Sequence, residues 1–403
     1  MKKRILIASF LFIILIIMII LTIKKNHRTV ESNESISNDC TISIEDNSFN
    51  YDDDIYLKDI VNQECNLISN DKLNTRTLGK NNYTIKYKNT RGKNSTLKYT
   101  YNIVDNVNPL VLISSSYTVY NGSNTDLVNK AICADNYDKK PNCYIEGAYD
   151  INKNGTYKLK YIAIDSSNNK TIKDFTLYVK DKPKNNNKNN NLNKQKLKME
   201  DAIKTYKKDN NMIGIDISAW QDQIDFKKVK ESGVEFVIIR IGFGHKNNEL
   251  ILDKRFKEYI NGAKEANLKI GLYFYSYAKN TKESIEQAKW IINELNGEKL
   301  DLPIAFDWED WSKFNSYNVS LTDINDIAES FIKEINDNGY TGMIYSSKYY
   351  LENIWNLNKY PTWLAHYTKQ TNYDKEYLLW QFSNQGKVNG INTDVDLDIL
   401  YTN

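Results

Sequence analysis

The sequence has few of the residues on which thiol-dependent and zinc enzymes rely. Its 403 residues include four cysteines and three histidines. Every cysteine precedes Asp181, so the C-terminal half has no thiol that could act as a nucleophile. That half has only His245 and His366, which are too few for a histidine-rich zinc site. These absences exclude cysteine-dependent amidase chemistry and argue against zinc.

The chain also lacks a strong net charge and a calcium-binding loop. Its formal net charge is +3, and no basic stripe with interleaved aromatic residues occurs outside one Lys/Asn-rich segment, so no nucleic-acid partner is expected. Asp394, Asp396 and Asp398 alternate as in a calcium loop, but Ile399 occupies the position where that loop requires glycine. We therefore predict that the activity uses no metal ion and no cofactor.

What the chain does have is one long hydrophobic run at its start. Basic residues flank an uncharged and almost entirely apolar stretch from Ile5 to Ile23, which as a helix spans about 28 Å, close to the thickness of a bilayer core. No small-x-small cleavage site follows it. Residues 1–28 are therefore predicted to form an uncleaved transmembrane signal anchor, with cleavage and secretion as the alternative. The balanced flanking charges do not fix its orientation.

The four cysteines suggest two disulfides in an exported region. Proximity favours the pairs Cys40–Cys65 and Cys133–Cys143, although four cysteines allow three pairings. Four unpaired thiols are the alternative.

Two similar β-rich segments follow the anchor. Residues 38–106 and 107–181 each end in two runs with period-two alternation that are separated by a polar turn, which predicts a β-hairpin. We call these segments module 1 and module 2 and expect two small β-sandwiches that serve as spacers. They weakly resemble bacterial immunoglobulin-like surface modules. Residues 182–211, rich in Lys and Asn, are predicted to be a flexible linker.

Residues 212–403, the barrel domain, alternate between strand-like and helix-like segments. Apolar runs begin at positions 212, 236, 269, 303 and 341, with amphipathic stretches of helical length between them. Three further strand-like runs at 362–367, 378–382 and 395–401 are separated only by loops. This order predicts an α/β barrel related to the TIM barrel, of the (β/α)5(β)3 type.

Polar and aromatic residues stand at the predicted strand ends, where parallel barrels carry their functional side chains. They are Asp216, Arg240, Tyr273, Tyr275, Asp307, Glu309, Trp363, Tyr367, Gln381 and Asp396. Asp307 and Glu309 are separated by one residue and so share a strand face, with Cα atoms roughly 6.5 Å apart. Two carboxylates beside a scissile bond are what glycoside hydrolysis requires, and tyrosine and tryptophan rings provide stacking surfaces for sugars. Alone, an Asp-x-Glu at a strand end is more often a solvated turn.

The order of the motifs makes the interpretation specific. Gly-x-Asp-x-Ser at 214–218, Phe-Val-Ile-Ile-Arg at 236–240, Gly-Leu-Tyr-Phe-Tyr-Ser at 271–276 and Asp-x-Glu at 307–309 resemble the glycoside hydrolase family 25 lysozymes, or N-acetylmuramidases. The resemblance continues through Trp-Leu-Ala-His-Tyr at 363–367, Trp-Gln-Phe-Ser at 380–383 and Val-Asp-Leu at 395–397. It departs at Asp398, where the family more often has asparagine.

The resemblance implies a function for the barrel domain. It implies hydrolysis of the β-1,4 bond between N-acetylmuramic acid and N-acetylglucosamine in peptidoglycan, with Glu309 as general acid and then base. Asp307 would stabilise the cationic intermediate, either as a nucleophile or by steering the substrate's acetamido group. The resemblance makes Asp216 and Asp396 substrate-binding carboxylates that also tune the pocket, and the remaining strand-end residues are further candidates for contact with the glycan.

A hypothesis from another class is a non-catalytic surface protein that binds the cell wall. The paired carboxylates Asp307 and Glu309 argue against it, because a binding module does not need them. The expected partners are the glycan strands of peptidoglycan and, through the anchor, the cytoplasmic membrane. The expected location is the bacterial cell membrane, with a single span and the barrel domain outside.

Overall fold

A computed structural model describes residues 42–63, 65–183, 196–244 and 249–402. The predicted anchor and Cys40 lie outside these ranges. Within them, no helix has the length and apolar character needed to cross a membrane. The described chain belongs to two compact units whose boundary lies between Asn106 and Val107.

The first unit contains the described part of module 1. A four-stranded sheet, in the order β2-β6-β5-β4, and a two-stranded sheet of β1 and β3 enclose one core that includes Leu57, Ile85 and Tyr99. The predicted hairpin is β5 with β6, which pair antiparallel. The elements are β1 (Ile42–Ile44), β2 (Ser48–Asn50), α1 (Leu57–Ile60), β3 (Val61–Gln63), β4 (Asn66–Leu67), β5 (Gly79–Lys88) and β6 (Asn94–Val104).

Module 2 repeats this arrangement at the start of the second unit. Its sheets have the orders β10-β11-β12-β8 and β7-β9, and Leu159, Tyr161 and Leu177 lie in its core. The strands are β7 (Leu110–Leu112), β8 (Ser116–Tyr120), β9 (Ile132–Ala134), β10 (Asn142–Glu146), β11 (Gly155–Ile164) and β12 (Lys170–Lys180), with a 3-10 turn η1 (Val128–Lys130) before β9.

The described cysteines are all in disulfides. Cys133 on β9 is bonded to Cys143 on β10, the pairing that sequence proximity favours. Cys65 is also disulfide-bonded, and its expected partner Cys40 lies outside the described residues.

The predicted linker is wrong over its last part. Residues 196–211 include β13 (Leu197–Lys198), which pairs with the barrel strand β21 (Leu379–Lys387), and helix α2 (Met199–Tyr206). Met199 and Ala202 are buried in the barrel core, and the Tyr206 ring lies 4.5 Å from that of Phe382. Apolar residues at helical spacing among the lysines explain this packing, because a single apolar face is enough to dock a helix.

Eight strands of the described chain close into a barrel, which confirms the predicted fold of this domain. Seven run parallel in the order β14-β15-β17-β18-β19-β20-β21, and β22 closes the barrel by pairing antiparallel with both β21 and β14. The strands are β14 (Asn211–Ile217), β15 (Phe236–Gly244), β17 (Lys269–Tyr275), β18 (Ile304–Asp307), β19 (Gly342–Ser347), β20 (Thr362–Ala365), β21 (Leu379–Lys387) and β22 (Val395–Tyr401). A short strand, β16 (Leu250–Leu252), pairs antiparallel with the end of β15.

One helix crosses between each of the first five barrel strands and the next. These helices are α3 (Phe226–Glu231), α4 (Phe256–Glu265), α5 (Thr281–Leu295), α6 (Leu321–Asp337) and α7 (Lys348–Asn353), and the 3-10 turns η2 (Ala219–Gln221) and η3 (Trp311–Ser316) follow β14 and β18. Ser320 and Asp323 form a capping box at the start of α6. The buried face of α6 includes Ile324, Ile327 and Phe331, which lie at helical spacing.

Candidate active site

Alternation along the strands determines which side chains enter the barrel. On β15, Phe236 and Ile238 belong to the interior core, whereas Val237 and Ile239 pack with the surrounding helices. The next interior position on that strand is Arg240. On β18 the same alternation places Ala305 inside and then Asp307. The interior is therefore apolar at one end and polar at the carboxyl end of the parallel strands.

The polar end of the barrel opens into a cavity of about 300 Å³. Its lining residues are Asp216, Ser218, Trp220, Gln221, Arg240, Tyr273, Tyr275, Asp307, Glu309, Tyr345, Trp363, Gln381 and Asp396. The structure thus brings together every strand-end candidate except Tyr367, whose hydroxyl donates a hydrogen bond to Gln381 Oε1 at 2.9 Å. A larger cavity of about 430 Å³ lies between module 2 and the barrel, but no carboxylate is among its described lining residues.

Sequence reasoning missed four lining residues, which are Ser218, Trp220, Gln221 and Tyr345. Tyr345 follows Met343 by two residues on β19, so the alternation rule applied to this strand would have found it. The other three lie on the loop after β14. Ser218 and Gln221 form a capping box around η2, and Trp220, in the same turn, is 78% exposed.

Asp307 is a buried carboxylate at the end of β18. Its Oδ1 atom has no hydrogen-bond partner among the described residues. Burial, followed by the nearby carboxylates of Glu309 and Asp216, raises the pKa of Asp307 well above its usual range, while Arg240 opposes the rise. The next residue, Trp308, points the opposite way and is fully buried, with its Nε1 donating to Ala278 O at 3.3 Å. The buried indole therefore fixes the outer face of the strand end.

Glu309 lies at the mouth of the same cavity. Its side chain reaches solvent, in contrast to that of Asp307. The surrounding walls still remove part of its hydration, and this desolvation raises the pKa of Glu309. The Asp-x-Glu pair therefore consists of one enclosed carboxyl and one at the rim, both shifted toward the protonated form.

Gln381 joins several polar groups of the cavity. Its Nε2 donates to Asp216 Oδ2 at 2.7 Å and to Asp396 Oδ2 at 3.3 Å. Its Oε1 accepts hydrogen bonds from the hydroxyls of Tyr345 and Tyr367, each at 2.9 Å. These partners satisfy both ends of the amide, so Gln381 fixes two carboxylates and two phenols relative to one another.

The carboxylates next to Gln381 hold their protons more tightly than usual. Asp216 and Asp396 face each other across β14 and β22. Burial and the charge of Asp216 raise the pKa of Asp396 to about 8, and burial with the charge of Asp398 raises the pKa of Asp216 well above its usual range.

Asp398 follows Asp396 by two residues on β22, so it lies on the same face of the strand and deeper in the barrel. It is fully buried and accepts a hydrogen bond from Trp363 Nε1 at 2.8 Å. Burial is also the main cause that raises the pKa of Asp398. Its neighbour across the ladder is Gly214, where a Cβ atom would lie 2.5 Å from the carbonyl oxygen of Phe236.

Arg240 is the one cation in the described lining of the cavity. Both its Nε and its Nη2 lie 2.7 Å from Asp253 Oδ2. The same Asp253 oxygen accepts a hydrogen bond from the Ala219 N–H at 3.1 Å. Asp253 therefore orients Arg240 and also ties down the turn that carries Trp220.

The described lining of the cavity lacks the histidine and cysteine ligands of a typical zinc site. Gln381 and Arg240 place N–H donors among the carboxylates. What the arrangement can do is hold or donate protons and stabilise a positive charge beside Asp307. It can also contact a ligand through Trp220, Tyr275 and the other rings at its rim.

Comparisons with known proteins agree with this chemistry. Residues 215–391 match the family model described as Glycosyl hydrolases family 25. The autolytic lysozyme of Clostridium acetobutylicum is 34% identical over 190 residues, which cover 46% of this chain and 55% of the relative. Lysozyme M1 of Streptomyces globisporus is 27% identical over 198 residues, which cover 45% of this chain and 65% of the relative. The chain thus spans between about half and two thirds of the length of these curated relatives.

Among solved structures, a family 25 glycosyl hydrolase from Bacillus anthracis aligns with 49% of this chain and 93% of its own, at 19% identity and a TM-score of 0.42.

Proposed function

We propose that this chain, whose C-terminal domain belongs to glycosyl hydrolase family 25, is a peptidoglycan hydrolase that cleaves between N-acetylmuramic acid and N-acetylglucosamine. The observation that carries the proposal is the unequal pair at the end of β18. Asp307 is buried with an unpartnered oxygen, whereas Glu309 reaches solvent at the mouth of the cavity. The similarity to two proteins named as lysozymes supports the same substrate class.

In this proposal Glu309 protonates the glycosidic oxygen and later activates water. A general acid must hold its proton near the working pH. Desolvation raises the pKa of Glu309 in that direction, and its access to solvent allows water to enter for the second step. The longer side chain of glutamate lets it reach over the sugar plane to the leaving oxygen, whereas Asp307 stays deeper in the barrel.

Asp307 stabilises the positive charge that develops at the anomeric carbon. Its Oδ1 has no hydrogen-bond partner among the described residues, so the negative charge is not already neutralised by a donor there. Nearby Arg240 opposes the rise in the pKa of Asp307 and so favours its ionised form. Asp307 acts either as the nucleophile or by steering the substrate's acetamido group, and both routes need an anion at this position.

The remaining polar residues bind and orient the glycan. The network around Gln381 holds Asp216 and Asp396 in fixed positions, and protonated carboxyls can donate hydrogen bonds to the hydroxyl and carbonyl oxygens of a sugar. Trp220, Tyr275 and Tyr367 offer ring surfaces at or near the rim, on which sugar rings can stack.

The decisive experiment identifies the new chain end. Purified cell wall is digested with the protein, reduced with borohydride and analysed by mass spectrometry. Muramitol is the expected new alcohol. Glucosaminitol as the only new alcohol would make the enzyme a glucosaminidase, and the absence of any new reducing end, with wall binding retained, would favour the non-catalytic binding protein.

The proposal includes an arrangement at the cell surface. Residues 1–28 anchor the chain in the bacterial membrane with the barrel domain outside, and the two modules resemble bacterial immunoglobulin-like surface modules. The hydrophobic run from Ile5 to Ile23 supports the anchor, and a wall substrate requires the external side. Protease added to intact protoplasts should remove the barrel domain, and protection of the domain would refute this orientation.

A further inference from the structure

Module 2 packs directly against residues 308–320 of the barrel domain, which include Glu309 and the turn that follows it. We call these residues the Glu309 segment. Ile132 and Ala134 on β9 are 8% and 2% exposed and belong to the same apolar core as Trp311 and Phe314 of this segment. Strand β9 of module 2, which was expected to be part of a spacer, thus contributes to the core of the barrel domain.

One asparagine connects the Glu309 segment to the backbone of module 2. Asn315 Nδ2 donates to Ala131 O at 2.9 Å, and Asn315 Oδ1 accepts from Cys133 N–H at 3.1 Å. At the end of the segment, Leu321 N–H donates to Asp135 O at 2.7 Å. The side-chain amide of Asn315 thus pairs with β9 much as a neighbouring strand would.

The strand that receives Asn315 is itself held within module 2. β9 pairs antiparallel with β7, so that Cys133 lies opposite Val111. The disulfide from Cys133 to Cys143 joins β9 to β10. Movement of β9 relative to the rest of the module is therefore restricted on both sides.

Hydrogen bonds within the Glu309 segment and ring stacking against it fix the backbone on which Glu309 lies. Trp311 N–H donates to Glu309 O at 2.7 Å, and the Tyr317 hydroxyl donates to Asp310 Oδ2 at 3.0 Å. The Trp311 ring stacks on that of Tyr350 with centroids 4.1 Å apart. Among the described residues no hydrogen bond or ion pair holds the Glu309 carboxylate itself. Its location therefore depends on the backbone from which it extends.

We infer that module 2 is a positioning element of the active site, in which the pairing of Asn315 with β9 fixes the backbone that carries Glu309. The inference rests on the proposed function for its consequence in catalysis. Asn315 does not touch the substrate; it acts through the segment it holds. A displacement of about 1 Å in a catalytic group can lower a rate by up to about 10²-fold.

The test uses Asn315→Ala in the full chain with two substrates. The value of kcat on cell wall should fall about tenfold, because the leaving oxygen there needs a proton from a well-placed acid. The value on an activated aryl glycoside of N-acetylmuramic acid should fall less than about twofold, because its leaving group needs no proton. Hydrogen exchange should become faster at amides of residues 308–320, a readout that does not depend on activity.

Two further variants sharpen the test. Asn315→Asp keeps the acceptor for Cys133 N–H but places a carboxylate oxygen against Ala131 O, so its effects should be at least as large as those of Asn315→Ala. Ser316→Ala is the matched control. Among the described residues, the Ser316 hydroxyl bonds only within the same turn, to Lys313 O at 2.6 Å, so its removal should change neither rate nor exchange.

The outcomes separate this inference from the proposed function. Equal losses of kcat on both substrates, or unchanged exchange and unchanged kcat in Asn315→Ala, would overturn the positioning role. A wild-type chain that releases no fragments from cell wall would overturn the proposed function instead. In that case, amide hydrogen exchange in the Glu309 segment would still show whether β9 holds this segment in place.

Discussion

Neutralising Asp396 should stabilise the fold by an amount that grows with pH. Burial and the charge of Asp216 raise the pKa of Asp396 to about 8, whereas an aspartate in an unfolded chain titrates near about 3.9. Below the pKa of the unfolded chain, Asp396 is protonated in both the folded and the unfolded state, so it causes no loss of stability. Between the two values only the folded state holds the proton, so stability falls as pH rises and the loss is complete above about pH 8.

The size of this effect follows from the shift. One pH unit corresponds to about 1.36 kcal/mol, so a shift of about four units gives an upper limit of about 5.5 kcal/mol. Asp396 is partly exposed and shares its interaction with Asp216, so we expect about half of that limit. Asparagine has nearly the same shape, and its Oδ1 can still accept the hydrogen bond from Gln381 Nε2. Asp396→Asn should therefore add about 2 to 3 kcal/mol near pH 8 and almost nothing near pH 4.

The measurement is urea unfolding followed by tryptophan fluorescence at one-unit steps from about pH 4 to about pH 8. Wild type, Asp396→Asn and the control Asp374→Asn, at an exposed loop position, are compared at each pH. The difference in midpoint should widen with pH for position 396 and stay near zero for position 374. A difference that is constant across this range, or one that changes sign toward destabilisation at high pH, would refute the reasoning.

Three further predictions concern activity. Glu309→Gln should lose about 10²–10⁴-fold in activity on cell wall but far less on an activated aryl glycoside, whereas Asp307→Asn should be impaired on both; the acid assignment fails if Glu309→Gln stays within about tenfold of wild type on wall. Gln381→Ala leaves two carboxylates and two phenols without a shared partner, so unfolding should require about 1–3 kcal/mol less and wall lysis should be lost, as thermal melts and turbidity assays would show. Trp220→Ala should raise KM for soluble wall fragments about fivefold, equal to about 1 kcal/mol of stacking, with kcat and melting temperature unchanged; an unchanged KM would remove Trp220 from the binding surface.

The barrel was predictable because its strands and helices carry strong periodic signals. Stretches of helical length with an apolar face separate the apolar runs that begin at positions 212, 236, 269, 303 and 341, and the structure has a helix in each of these stretches. The same reasoning failed at α2, where lysines and asparagines dominate the composition of the region. Met199 and Ala202 carry the signal there, but a composition average hides two buried residues among many polar ones.

The contacts between module 2 and the barrel domain have no comparable periodic signal in the sequence. Ile132 and Ala134 look like ordinary strand residues, and no periodicity indicates that they face another domain rather than their own core. Asn315 is an unremarkable polar residue in a loop until β9 is placed beside it. Sequence patterns describe which residues of one element are buried, whereas the partner of a buried face depends on tertiary packing that a local pattern does not encode.

The reversed direction of the last strand explains why the carboxylates converge. β22 runs antiparallel to β14, so its first residues, not its last, lie at the polar end of the barrel. Asp396 thereby faces Asp216, and Asp398 lies opposite Gln381 on the other side. A parallel eighth strand would have placed the aromatic and apolar residues of its end at this position, starting with Tyr401. The reversal therefore supplies the acidic side of the cavity, where burial and the charge of Asp216 raise the pKa of Asp396. The fold gives up stability near neutral pH to hold these carboxyls together, as expected for a site that is maintained for chemistry.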